Sequence, residues 1–108
     1  MLVAALQMGP AAPTISRTAE RILVLVDKAG AAGVKLAVLP ELALTPYFAA
    51  EIHDDLTPFV NPEENQSAIA AISARAAGYG MALVLPFAEL SNAGLYNSMI
   101  FIDDKGTR

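Results

Sequence analysis

The chain has no cysteine, no tryptophan and a single histidine among its 108 residues. Without cysteine there is no disulfide framework and no thiolate metal site, and the chain carries no thiol nucleophile of its own. Basic residues are also sparse. Seven Lys and Arg against eleven Asp and Glu leave a formal charge of −4 with no basic cluster, which excludes the electrostatic footprint of a protein that binds nucleic acid or an anionic membrane surface. The longest purely aliphatic run, Ile22 to Val26, falls far short of the roughly 20 residues a membrane-spanning helix needs. Met1 leads straight into a strand-like segment with no basic leader, so a cytoplasmic location is expected. Internal repeats and low-complexity tracts are missing as well, and nothing inside the chain marks a domain boundary. What is present is apolar: 55% hydrophobic residues against 17% charged, enough for one globular core.

Leu2 to Met8 is a short apolar run closed by Gly9 and Pro10, the pattern of a buried strand. Thr14 stands where a helix N-cap belongs, and Ile15, Ala19, Ile22, Leu23 and Val26 recur at helical spacing up to the glycine stops Gly30 and Gly33. Val24 and Leu25 fall off that face, so a second layer or a partner is expected over them. Leu36 to Leu39 is apolar at every position, as in parallel strands covered on both faces, and Pro40 ends it. From Leu42 to Val60 no period holds; Pro46, Pro58 and the polar His53, Asp54 and Asp55 mark a long loop with room for a short helical turn.

Asn61, Pro62, Glu63 and Glu64 combine a capping side chain, a fixed φ and two charges matched to the helix dipole. They open a second helix whose buried face takes Ile69, Ile72, Ala76 and Tyr79, with Gly78 or Gly80 as its stop. Met81 to Leu85 reads as a strand continuing past Pro86 towards Glu89. Ser91 to Gly94 reads as a turn, and Tyr96 to Asp103 as an antiparallel partner. The class is therefore α/β in the order β-α-β-α-β-β. Asp103 to Gly106 is a further turn signal with only Thr107 and Arg108 after it, so a chain cut in mid-sheet is expected.

Glu41 is the first candidate for chemistry. It follows a parallel strand at its carboxyl end, where open α/β sheets place ligands, and the apolar Leu39, Leu42, Tyr47 and Phe48 around it would favour its neutral form and suit it to general-base work. A capping or solvated loop carboxylate is the plainer alternative. Tyr47, Phe48 and Phe59 either line a pocket or anchor the loop to the core. Glu89 and Asn97 flank the last turn and can bond to backbone, to each other or towards the strand-end crevice, with structural satisfaction of the turn the expectation. His53, Asp54 and Asp55 are metal-ligand types, but consecutive residues seldom converge on one ion and no second histidine exists, so no metal is expected. Gly30, Gly33, Gly78 and Gly80 fall at helix ends, and lone Gly9 is no dinucleotide fingerprint. Asn65-Gln66-Ser67 spells a glycosylation acceptor without a secretory context.

VAALQM at the start, RILVLVDKAGAAGVKLAVLPE for helix and strand, ARAAGYGMALVLPFAEL and YNSMIFIDDKG follow one another along the chain, and in that order they resemble the N-terminal part of the nitrilase, or carbon–nitrogen hydrolase, superfamily. PELALTPYF is most similar to the N-carbamoyl-D-amino acid hydrolase branch. The resemblance spans essentially the whole chain and implies that residues 1–108 are the N-terminal portion of a single α-β-β-α four-layer sandwich domain, truncated. It implies a Glu-Lys-Cys catalytic set with Glu41 as general base, a thiol nucleophile, no cofactor, an amide or N-carbamoyl amino acid substrate, and pairing into a homo-oligomer when full length. Catalytic Lys and Cys are absent: Lys28, Lys35 and Lys105 match other positions, so this chain alone is expected to be inactive. Pro46 replaces a glycine common before the aromatic, which leaves other amidases and ureidopropionases as alternatives. A non-catalytic fragment binding a partner through its edge strand and a nucleotide-binding module are the readings of other classes. The missing glycine-rich strand-to-helix turn weighs against the second.

Overall fold

Two capped helices and four strands alternate along the chain in the expected order. In the computed structural model, which describes Met1–Arg108, β1 is Val3–Ala5, α1 Ile15–Ala31, β2 Leu36–Val38, α2 Pro62–Gly78, β3 Ala82–Ser91 and β4 Gly94–Ile102. Single 3₁₀ turns at Phe48–Ala50 and Thr57–Phe59 interrupt the long loop after β2. The helix starts are side-chain caps. The Thr14 hydroxyl accepts from the Arg17 N–H at 3.2 Å, and Asn61 Oδ1 accepts from the Glu64 N–H at 3.1 Å, satisfying donors that have no partner inside the helix.

The strands form one sheet in the order β1-β2-β3-β4, the first two pairings parallel and the last antiparallel. Each parallel step carries a helix, and α1 and α2 lie side by side, clasped by Arg75 donating to Asp27 at 2.7 Å. Ile22, Val26, Ile72 and Ala76 from the helices meet Ala37, Leu83, Leu85 and Ile102 from the strands in a single buried core. Period-two alternation leaves the other sheet face open: Val3, Val38, Met99 and Phe101 are all exposed. The two-sided cover expected for Leu36 to Leu39 is thus not met within these residues. Both crossover helices occupy the same face, so Ala37 is buried while Val38 is 42% exposed.

Pro86 sits inside β3 opposite Met99 without breaking the ladder. Its carbonyl faces the β2 side, where it accepts from the Ala43 N–H at 3.1 Å. The missing Pro86 N–H would point the same way, towards the Leu39 carbonyl at the end of β2, so the parallel ladder stops at the Leu39 N–H. The hairpin turn at Ser91–Gly94 forms as expected, with Gly94 at φ 136.

Gly30 departs from the expected helix stop. It lies inside α1, and Gly33, at φ 84, follows the helix end. What Gly30 provides is room: a Cβ there would stand 2.2 Å from Cγ of Tyr79, whose hydroxyl donates to Asp27 at 3.0 Å. Tyr79 accordingly packs across α1 instead of along its own helix face. Gly30→Ala should therefore lower stability by roughly 1 kcal/mol, the cost of overpacking against Tyr79 outweighing the better helix propensity of alanine. In a Tyr79→Ala background the same change should turn stabilising; denaturant unfolding of the four variants reads the reversal of sign.

Candidate active site

The turn that follows β2 is built to push one side chain outwards. The Leu39 N–H donates to the Val84 carbonyl at 3.1 Å, extending the parallel ladder, and Pro40 then stops it. Leu42 takes φ 50, the only non-glycine residue with positive φ, a left-handed conformation that costs a bulky residue roughly 1–2 kcal/mol. Its side chain is buried, as are Ala43 and Leu44 after it, and that burial holds the turn in place. Between buried Leu39 and buried Leu42, Glu41 is exposed.

The Glu41 carboxylate meets two donors from different parts of the chain. Asn97 Nδ2, on β4, donates to Oε1 at 2.6 Å, and the Tyr47 hydroxyl, on the loop, donates to Oε2 at 3.2 Å. Around them lies an open cleft of about 320 Å³, walled by Met8, Gly9 and Pro10 on one side and by Leu42, Thr45 and Tyr47 on the other. The first wall is fixed from α1. The Thr18 hydroxyl accepts from the Ala12 N–H at 3.0 Å, and Arg21 donates to the Pro10 carbonyl at 2.9 Å. No lysine lines the cleft; Lys28 lies in α1, Lys35 precedes β2 and Lys105 belongs to the turn after β4. The negative charge of Glu41, reinforced by the hydrogen bond, holds the Tyr47 phenol above its ordinary ionisation range.

The other candidate residues separate. Phe48 does not line this cleft; its ring stacks on Phe59 at 4.9 Å and His53 meets Phe59 edge-on at 4.8 Å, so these aromatics anchor the loop that presents Tyr47. Glu89 projects to the helix side of the sheet, where it accepts from Ser98 Oγ at 2.9 Å and borders a separate hollow of about 150 Å³ beside α2. Glu89 and Asn97 thus stand on opposite faces, and only Asn97 supports Glu41. Asp55 Oδ1 accepts from the Thr57 N–H and hydroxyl at the start of the second 3₁₀ turn, and these bonds, the backbone one foremost, hold its carboxyl below the usual range. Sequence reading had the residue types but not the pairing: Glu41 and Asn97 lie 56 positions apart, and only the strand order brings them together.

The carbon–nitrogen hydrolase profile matches residues 2–108. The chain belongs to the carbon–nitrogen hydrolase family. Among solved structures it is similar to a carbon–nitrogen hydrolase from Helicobacter pylori G27, with TM-score 0.79 and 21% identity over 96% of this chain and 36% of that one. It is also similar to an amidase from Nesterenkonia sp., with TM-score 0.77 and 19% identity over 97% of this chain and 39% of that one. At such identities these likenesses speak for the fold, and the chain spans well under half of either protein. No curated protein matches.

The bond between Tyr47 and Glu41 has a direct readout. Glu41→Gln removes the charge that opposes phenolate formation, so Tyr47 should ionise at lower pH, nearer the ordinary phenol range. A tyrosine-resolved NMR titration measures this, and an unmoved Tyr47 titration would show that the two side chains do not meet.

Proposed function

We propose that this chain supplies the general base of a hydrolase acting on non-peptide carbon–nitrogen bonds, and that the base is Glu41. The observation that carries the reading is a single exposed carboxylate at a parallel strand end, held by donors on both oxygens and facing a cleft. A base must keep its lone pairs oriented towards the proton it removes, and a carboxylate fixed by Asn97 meets that requirement better than a freely rotating one.

On this reading a cysteine thiol gives its proton to Glu41, and the thiolate attacks the substrate's carbonyl carbon. Glu41 returns the proton to the departing nitrogen, which leaves as ammonia. It then takes a proton from the water that hydrolyses the acyl-enzyme, and a lysine stabilises the oxyanion of each tetrahedral intermediate. The sequence holds no cysteine, so the chain by itself should turn over no amide.

For the substrate, the resemblance of PELALTPYF to the N-carbamoyl-D-amino acid hydrolase branch favours an N-carbamoyl amino acid, cleaved to the free amino acid, carbon dioxide and ammonia. A simple carboxamide is the second reading. It is favoured by the structural neighbours, one of which is a Nesterenkonia amidase mutant in complex with acrylamide. Ammonia release from N-carbamoyl-D- and L-amino acids and from short aliphatic amides, measured on the complete gene product, separates the two. In that protein Glu41→Gln should leave unfolding unchanged and lower kcat by roughly 10²–10⁴-fold; near-normal turnover would remove Glu41 from the role of base.

A further inference from the structure

The Glu41 side chain leaves the end of β2 and bonds to a residue on β4, with β3 lying between the two strands. A carboxylate can cross a strand only where that strand presents little side chain on the same face. The residue of β3 paired with Asn97 is Ala88, and directly opposed residues of an antiparallel pair project to the same face. On β3 the neighbours of Ala88 along that face and beyond it are larger: Pro86 stands one step back and Leu90 one step on. Ala88 is 3% exposed, and its backbone is pinned from the helix layer, since buried Asn65 donates Nδ2 to the Ala88 carbonyl at 2.9 Å.

We propose that Asn97 is the positioning residue for Glu41 and that Ala88 is the gap that lets the carboxylate reach it, an assignment that rests on the reading of Glu41 as base. The strained turn at Leu42 sets where the side chain emerges, and Asn97 sets the rotation of its carboxylate. The 2.6 Å bond to Asn97 occupies Oε1, while the longer 3.2 Å bond to Tyr47 occupies Oε2 on the loop side. Oε2 is therefore the oxygen that receives the proton once the Tyr47 hydroxyl gives way. Asn97 does not line the cleft and meets the site through Glu41.

The test is made on the complete gene product with the best amide or N-carbamoyl substrate. Asn97→Ala should lower kcat about 10–100-fold while KM stays within about twofold, since a base displaced by an ångström loses rate without losing substrate binding. Ala88→Val, which fills the gap, should show the same split, and Ser98→Ala, on the same strand but the opposite face, should leave both constants unchanged. Asn97 is exposed within residues 1–108, and Asn97→Ser serves as a second variant should Ala88→Val not fold. Independently of turnover, the Asn97 side-chain amide proton should shift in NMR when Glu41 becomes Gln. Unchanged kcat in Asn97→Ala, a loss carried by KM, an equal loss in Ser98→Ala, or an unmoved amide signal overturns the assignment. Inactive Glu41→Gln beside fully active Asn97→Ala would sink the assignment alone. Active Glu41→Gln would sink the base reading and the assignment with it.

Discussion

Parallel pairing of β2 with both β1 and β3 is the constraint on which the remaining architecture depends. A parallel neighbour can be reached only by a crossover, and crossovers of the usual right-handed sense that step in one direction place their helices on one face. The two helices therefore meet each other, joined by Asp27, Arg75 and Tyr79, and one sheet face is covered while the other is not. The same parallel arrangement gathers the segments leaving β1 and β2 at one end of the sheet. The cleft around Glu41 forms there because both of its walls are strand exits.

Within that frame the site is a sequence of small restraints rather than one strong one. Pro40 ends the ladder, Leu42 takes a left-handed turn held by its own burial, and the Ala43 N–H reattaches the chain to Pro86. The loop beyond is anchored by stacking of Phe48 on Phe59, which keeps Tyr47 beside the carboxylate. Each piece has a plain structural role, and together they leave one acidic side chain exposed and oriented.

The antiparallel hairpin divides its polar residues by parity. Asn97 and Ser98 are adjacent, so one faces the open side and the other the helix side, where it meets Glu89. Sequence alone placed Glu89 and Asn97 together as flanks of one turn. Register separates them, because the side-chain period of a strand is two and neighbours must diverge.

Local chemistry was sufficient to determine much of this chain from sequence. The caps at Thr14 and Asn61, the apolar helix faces, the strand order along the chain and the turn at Ser91 to Gly94 all depend on contacts a few residues long. Glu41 at a strand end was legible for the same reason, since Pro40 and the apolar run before it are adjacent in sequence. Tertiary structure alone decided that Gly30 makes room for Tyr79, that one face of β2 stays open, and that Asn97, not Glu89, meets Glu41. Each of these depends on which strand lies beside which and on which face a helix returns to, and no window of neighbouring residues encodes a contact spanning 56 positions.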